Sequence, residues 1–260
     1  MRNPRTYGGK PFTVAVIHGG PGAPGEMAPV ARELADGWGV LEPLQTKGSV
    51  NGQIEELRDM LQTHAELPAI LVGYSWGAWL SLFCAAHHAA LVKKVILVSS
   101  APFTEEHAAG ILPTRLSRLS EDERRAVASM TEAMKDPAIR DKDALLARFG
   151  TLFARADACD PVTLDAEGLD VSWRIHQNVW KEAAQWRSSG KLLGLVKKIR
   201  CPVVAIHGAC DPHPADGVRV PLSTTLSDFR FVLLDHCGHK PWIERQATQA
   251  FYDLLRRELQ

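Results

Sequence analysis

Three separate stretches of this chain contain the residue types that a serine nucleophile and its activating groups require. Residues 73–77 are Gly-Tyr-Ser-Trp-Gly, the G-x-S-x-G pattern with Ser75 at its centre. A buried strand is predicted just before this pentapeptide and a helix just after it, which is the setting of a nucleophile elbow. Glycines suit the flanking positions because a Cβ there would collide with the neighbouring strand or helix. The pattern predicts nucleophilic catalysis by Ser75, against the alternative of an ordinary tight turn.

A base and an acid for this serine follow two later predicted strands. His239 closes the sequence Asp-His-Cys-Gly-His, and Asp211 closes the sequence His-Gly-Ala-Cys-Asp. Because the carboxyl ends of parallel strands meet at one sheet edge, both side chains are expected near Ser75. His239 is predicted to take the proton and Asp211 to orient it, in the chain order Ser, Asp, His. Asp216 and Asp235 are the alternatives to Asp211 for orienting the histidine. Asp216 lies further into its loop, and Asp235 is expected to cap a helix or to form a structural ion pair.

A glycine-rich loop, His-Gly-Gly-Pro-Gly, directly follows the first predicted strand at residues 18–22. Its glycines let the backbone approach a reacting carbonyl, so the Gly20 N–H is predicted to stabilise an oxyanion together with the Trp76 N–H. The loop matches neither common phosphate-binding glycine pattern. His18 is expected to hydrogen-bond within the loop and not to act as a base.

A metal site is the alternative interpretation of the clustered histidines and cysteines. Zinc takes ligands of these types, but their spacing fits no standard pair, and a metal would leave the G-x-S-x-G pattern unexplained. We therefore predict neither a metal nor an organic cofactor. The residues in question are His207, Cys210, Asp211 and His213 on one loop, with His236, Cys237 and His239 on the other.

Apolar runs that alternate with helical patterns must position these residues. Continuously apolar strands separated by helices predict a mostly parallel sheet of about six strands with helices on both faces, an α/β fold. The predicted strands cover residues 12–17, a short stretch around 40–41, 69–73, 95–98, 202–206 and 229–234. The predicted helices cover residues 52–64, 76–88 and 242–259.

The stretch 103–190 contains helical patterns without a convincing strand, and we interpret it as a helical cap. The remaining residues, 1–102 and 191–260, form the predicted core domain. A helical insertion in a parallel sheet suits a lid because active sites lie at the carboxyl ends of the strands. The alternative is a helical embellishment that only covers the sheet.

Two serines are predicted to begin cap helices. Ser120 precedes Glu123 in a capping-box pattern, and Ser172 precedes an amphipathic helix. Trp173 and Trp180 on that second helix are predicted to bind substrate in an apolar pocket. The equal alternative is that these tryptophans pack in the interior of the cap.

Composition excludes several classes of protein. The 260 residues carry 30 basic and 30 acidic side chains, and 45% of the residues are hydrophobic. A neutral chain without a basic stripe does not suit nucleic acid, and its apolar runs are too short for a membrane span. Five cysteines are too few for a disulfide scaffold. We expect a soluble, cytoplasmic protein that acts on a small molecule, and the pattern leaves the oligomeric state open.

These motifs together resemble those of the α/β-hydrolase fold superfamily. The glycine loop, the serine pentapeptide and the two late loops occur in the order that this superfamily uses. About ten residues precede the first predicted strand, so the two strands that usually open larger members are expected to be missing. The resemblance covers the sheet-forming parts and leaves the cap unmatched.

Within the superfamily, the H-G-G-P-G loop and Trp76 resemble proline iminopeptidases and their relatives. That branch uses acidic cap residues to hold a free amine, for which Glu182, Glu167 and Asp170 are the candidates here. The resemblance implies a serine hydrolase that cleaves a small ester, thioester or amide through an acyl-enzyme. An iminopeptidase-like aminopeptidase and a non-catalytic ligand-binding member of the fold are the alternatives.

Overall fold

Seven strands form one sheet in the computed structural model, which describes residues 3–162 and 171–260. Their spatial order is β1-β3-β2-β4-β5-β6-β7, and every neighbouring pair except β1–β3 is parallel. The strands are β1 (Arg5–Tyr7), β2 (Phe12–Ile17), β3 (Gly39–Glu42), β4 (Ala69–Tyr74), β5 (Val92–Val98), β6 (Val203–Gly208) and β7 (Phe229–Leu234). The predicted α/β fold with a mostly parallel sheet is confirmed.

The short edge strand β1 was not expected. It has three partly buried residues without an apolar run, so no periodicity marks it, and it is held by antiparallel pairing with β3. One strand therefore precedes the first predicted one. Its side chains also reach the adjacent strand, because the Tyr7 hydroxyl donates to buried Glu42 over 2.7 Å.

Helices cover both faces of the sheet. On β2, Ala15 and Ile17 face one apolar cluster while Val14 and Val16 face the other. Outside the insertion the helices are α1 (Ala28–Leu34), α2 (Val50–His64), α3 (Trp76–His87), α10 (Asp216–Thr225) and α11 (Thr248–Leu259). The first cluster includes residues of α2 and α3, and the second includes residues of α1 and α11.

The predicted closing helix begins later than expected. Residues Pro241–Ile243 form a separate 3₁₀ turn, and α11 starts at Thr248. The apolar pattern runs through both elements because Trp242 and Phe251 pack in the same cluster. The sequence pattern therefore did not reveal the break between them.

The described residues between β5 and β6 form six helices, and we call these the inserted helices. Ser120 makes the predicted capping box with Glu123, and Ser172 Oγ accepts a 3.5 Å hydrogen bond from the Ile175 N–H. The inserted helices are α4 (Glu105–Ala108), α5 (Ile111–Ser117), α6 (Glu121–Lys135), α7 (Lys142–Asp157), α8 (Trp173–Ser188) and α9 (Lys191–Val196). The domain boundaries at 103 and 190 stay predictions.

None of the helices in the described part of the chain is long and apolar enough to cross a bilayer.

Candidate active site

Ser75 lies at a sharp turn between β4 and α3. Its φ of 50° falls in the left-handed region, and its N–H donates to the Val98 carbonyl over 3.0 Å. The flanking glycines are required sterically, because a Cβ on Gly73 would lie 2.2 Å from the Gly77 carbonyl oxygen. A Cβ on Gly77 would lie equally close to the Ile17 carbonyl oxygen. Backbone strain is therefore stored at the predicted nucleophile, as active sites commonly show.

Asp211 and His239 form a buried pair at the carboxyl ends of β6 and β7. His239 Nδ1 lies 2.7 Å from Asp211 Oδ2, and both residues are at most 9% exposed. An Nδ1–H that donates to the carboxylate leaves Nε2 of His239 free to accept a proton. Burial alone would raise the pKa of Asp211, but the charge and hydrogen bonds of His239 and His213 hold it well below its usual value. The carboxyl group is therefore ionised.

The residue that precedes the predicted serine contacts the predicted histidine. The ring of Tyr74, which precedes Ser75, lies 5.0 Å from the His239 ring. Among the described residues, Ser75 Oγ makes no hydrogen bond. Contacts of this kind are often long in unliganded sites and tighten when substrate is bound.

A second histidine contacts the same carboxylate. His213 Nδ1 and its backbone N–H each lie 2.8 Å from Asp211 Oδ1, and its ring stacks on His239 with a centroid separation of 4.2 Å. The His213 carbonyl accepts from His207 Nε2 over 2.8 Å. Burial lowers the pKa of His213 to about 4, so this ring is neutral near pH 7. Asp211 thus holds two stacked imidazoles with one carboxylate oxygen each.

The glycine loop lies beside the first turn of α3. Gly20 has a φ of 31°, and the α3 N-terminus has no side-chain cap. The first N–H groups of a helix lack intrahelical partners, so the Trp76 N–H is available to a developing oxyanion. The loop is fixed from outside, because the Ser172 N–H donates to the Gly22 carbonyl over 2.7 Å. The start of α8 therefore holds the loop in place.

His18 is a structural residue of this loop. Its Nε2 accepts from the Gln45 N–H over 3.0 Å, so its Nδ1–H donates to the Gly19 carbonyl at 2.8 Å. Burial lowers the pKa of His18 to about 4. Both ring nitrogens are occupied, which agrees with the prediction that this histidine does not act as a base.

An aromatic cluster joins α3 to the inserted helices. The ring of Trp180 makes edge contacts with Trp76 at 5.6 Å and with Trp79 at 6.2 Å. Trp76 itself is fully buried and its Nε1–H donates to Gln53 over 2.8 Å. Trp173 stacks on His176 at 6.1 Å and is partly exposed. The structure thus places Trp180 against the core, while Trp173 lies at the start of α8 beside the glycine loop.

Two acidic residues fasten the end of α7 to the His239 loop. Buried Glu244 accepts from the N–H groups of Cys159 and Gly238 over 2.9 Å and of Asp160 over 2.7 Å. The Asp157 carbonyl accepts the His239 N–H over 2.9 Å. The Asp157 carboxylate in turn accepts two hydrogen bonds from the Arg115 guanidinium, one on each oxygen. Backbone placement of His239 therefore depends on the inserted helices.

The remaining candidate site residues either have other partners or lie outside the described residues. Glu182 Oε2 accepts the Val50 N–H over 2.8 Å at the start of α2. Asp216 pairs with Arg219 at the surface, and Asp235 is exposed. Glu167 and Asp170 lie outside the described residues.

Part of the group considered as metal ligands does come together. One potential ligand atom from each of Asp211, His213 and His239 lies within 4.8 Å of the other two. Their contacts of 2.7 and 2.8 Å are hydrogen-bond distances between imidazole and carboxylate. The three side chains are therefore already joined to one another by two hydrogen bonds.

Sequence reasoning named His213 only as a potential metal ligand, and it did not identify Asp157 or Glu244. A signal existed for the first, because His213 follows Asp211 by two residues between two prolines. No local signal marks the other two, since each holds its partners through contacts between distant segments.

The chain belongs to the alpha/beta hydrolase family, whose sequence model matches residues 14–254. It is 28% identical over 201 residues to the pimeloyl-[acyl-carrier protein] methyl ester esterase of Aromatoleum aromaticum, spanning 68% of this chain and 70% of that protein. Neither match concerns the iminopeptidase branch specifically.

Solved structures show the same fold. VinJ superposes with a TM-score of 0.67 at 19% identity, over 98% of this chain and 93% of that one. The Paleococcus ferrophilus monoacylglycerol lipase superposes with a TM-score of 0.66 at 16% identity, over 100% and 98% of the two chains. At these identities the likeness concerns the fold.

Proposed function

We propose that this protein is a serine hydrolase that cleaves a small ester or thioester with Ser75, His239 and Asp211. The observation that carries the proposal is the buried 2.7 Å contact between His239 and Asp211, on the sheet edge where Ser75 opens α3. A nucleophile on a strained turn, a base with a free nitrogen and an acid that fixes its tautomer are the groups that acyl transfer needs.

In the proposed reaction, Ser75 Oγ attacks the carbonyl carbon and His239 Nε2 takes the hydroxyl proton. The N–H groups of Gly20 and Trp76 stabilise the oxyanion, where one such donor is worth about 3 kcal/mol. The imidazolium then protonates the leaving oxygen or sulfur, which departs and leaves an acyl-enzyme. Water, deprotonated by His239, attacks the acyl-enzyme and releases the acid and Ser75.

An ester substrate is favoured over a peptide with a free amine. The methyl ester esterase similar to this chain acts on an ester by its name. The carboxylate of Glu182, a candidate for holding an amine, is instead bonded to the start of α2. These two observations favour oxygen or sulfur leaving groups over an amine product.

We propose further that residues 103–190 act as a cap that contributes substrate contacts. The start of α8 bonds to the glycine loop, and Trp173 lies there partly exposed. In this proposal Trp173 and Trp180 form an apolar wall for the acyl group, with Trp180 also packing on Trp76.

Labelling with a serine-directed fluorophosphonate tests the nucleophile. We expect intact-mass analysis to show a single adduct on the wild-type protein and none on Ser75→Ala. Ser81→Ala, a buried serine on α3 whose hydroxyl donates to the Gly77 carbonyl, is the matched control and should keep the adduct. A folded wild-type protein without an adduct would overturn the proposal in favour of a ligand-binding role.

Relative turnover of two substrate classes tests the leaving group. Short-chain nitrophenyl esters should be hydrolysed faster than prolyl or alanyl anilides, and Ser75→Ala should hydrolyse neither. The reverse ranking would support the aminopeptidase alternative.

A further inference from the structure

Two cysteines that the proposed hydrolysis does not use lie against each other beside Asp211. Cys159 follows the end of α7, and Cys210 directly precedes Asp211 after β6. They are 51 residues apart in the chain, yet their Sγ atoms are 2.8 Å apart. Both are free thiols, and Cys159 is exposed to solvent.

Contacts that do not involve sulfur hold the two segments together. The Cys159 N–H donates to Glu244 over 2.9 Å, and the Cys210 N–H donates to the Cys237 carbonyl over 2.8 Å. Arg118 bridges the segments, because its guanidinium donates to the carbonyls of Ala156 at 2.9 Å and Cys210 at 2.8 Å. These contacts hold the backbone segments of Cys159 and Cys210 next to each other without any contribution from the sulfur atoms.

We propose that Cys159 and Cys210 are a redox modification site that takes a reversible disulfide from a low-molecular-weight disulfide oxidant. Since a disulfide bond is about 2.05 Å long, its formation needs a closure of the sulfurs by less than about 1 Å. The bond would tie the segment that follows α7 to the loop that carries Asp211. The proposal rests on this thiol geometry alone and does not depend on the proposed hydrolysis.

The chemistry balances with oxidised glutathione as the oxidant. One cysteine attacks a glutathione sulfur, which forms a mixed disulfide and releases one glutathione thiolate. The second cysteine then attacks the protein sulfur of that mixed disulfide, so the Cys159–Cys210 bond forms and the second glutathione leaves. The two thiol protons pass to the two glutathione thiolates, and two electrons move from the protein to glutathione.

The surroundings of Cys159 set the conditions for this exchange. Partial desolvation of the thiol and its hydrogen bond with Cys210 raise the pKa of Cys159 to about 12, with the charge of Glu244 acting in the same direction and that of Arg118 against it. A thiol that stays protonated exchanges slowly. Oxidation is therefore measured over hours at mildly alkaline pH.

Peptide mapping and intact mass of the full-length protein after incubation with oxidised glutathione test the proposal. We expect the wild-type protein to lose the mass of two hydrogens and to yield one peptide pair linked through Cys159 and Cys210. Dithiothreitol should restore the original mass. Cys159→Ser and Cys210→Ser should each abolish the linked pair, while Cys201→Ser, a partly buried cysteine elsewhere, should leave it unchanged.

Thermal unfolding gives a second readout. Closing a loop of 51 residues restricts the unfolded chain, so the oxidised wild-type protein should melt several degrees above the reduced form. Cys159→Ser, which changes an exposed side chain, should show no such rise. Protein that is glutathionylated without the internal link, or a link between other cysteines, would overturn the proposal.

Discussion

Helices α3 and α6 show how differently the two regions of this protein are built. Ten of the 12 residues of α3 are buried, but only three of the 15 residues of α6 are. Helix α3 packs between the sheet, α2 and α9, whereas α6 contacts α7 in a small separate cluster. Helix α6 instead begins with a full capping box and carries ion pairs along its exposed face.

The difference indicates where substitutions are tolerated. A helix buried on all sides depends on close packing, so an added methyl group clashes with its neighbours and destabilises the protein. A helix with one narrow apolar stripe depends more on capping and intrinsic propensity, which change by tenths of a kcal/mol. The predicted nucleophile is attached to the first kind of helix, and the proposed cap to the second.

The largest effect of a single substitution is expected from Gly77→Ala in α3. Its new Cβ would lie 2.2 Å from the Ile17 carbonyl and 2.6 Å from the His18 carbonyl, and neither backbone segment can move away. We expect the unfolding free energy to fall by at least about 3 kcal/mol. Urea unfolding followed by circular dichroism measures this, and unchanged stability would show that the two regions are packed alike.

Acidification should weaken the core and its contact with α8 next. Burial lowers the pKa values of His18, His176 and His213 to about 4, whereas the unfolded chain titrates near 6.5. The unfolded state therefore binds more protons between these values, and stability falls as the pH falls from 6.5 towards 4. The loss at about pH 5 should be about 2 kcal/mol for each histidine.

Urea midpoints measured across this pH range test the sign and the size of the effect. His176→Gln should flatten the slope, while replacement of the exposed His64 by Gln should leave it unchanged. Stability that stays constant or rises on acidification would contradict buried neutral histidines.

His213→Phe should produce a moderate effect confined to the site. The variant keeps a ring against His239 and the backbone N–H bond to Asp211 Oδ1, and it removes the side-chain hydrogen bond to that oxygen. A carboxylate with one donor fewer interacts more strongly with the His239 imidazolium, so the acid limb of the kcat/KM profile should move up by about one pH unit. A shift in pH profile distinguishes this from a purely structural defect.

His213→Asn is the matched control, because its amide can still donate to the carboxylate. Its acid limb should stay within a few tenths of a pH unit of the wild type. Equal profiles for the wild-type and Phe proteins would show that His213 only fills space beside His239.

The smallest effect, of opposite sign, is expected from Gly150→Ala in α7. No described residue outside the adjacent backbone of the helix lies within 4 Å of the added Cβ, and Gly150 is inside a 16-residue helix. The substitution should raise the unfolding free energy by about 0.5–1 kcal/mol, since alanine favours the helix over glycine. A loss of stability would indicate that the inserted helices are packed as tightly as the core.

Local sequence information was sufficient for most of the core. The strand at residues 12–17 was predicted with its observed bounds, because continuously apolar segments bounded by polar residues carry their own signal. Ser120 and Ser172 were recognised as helix caps because capping acts over three residues. Strand β1 and the break before α11 were not predicted, since long-range pairing and packing define them.

The sequence by itself determined the α/β fold, the elbow around Ser75 and the loops that carry Asp211 and His239. Each of these follows from residues close together in the chain. Only the tertiary structure decided that His213 shares Asp211 with His239, that Glu244 holds the His239 loop and that Cys159 meets Cys210. Although Asp211 and His213 are neighbours in the chain, the other contacts join segments that are distant in the sequence, and no local pattern encodes how those segments pack.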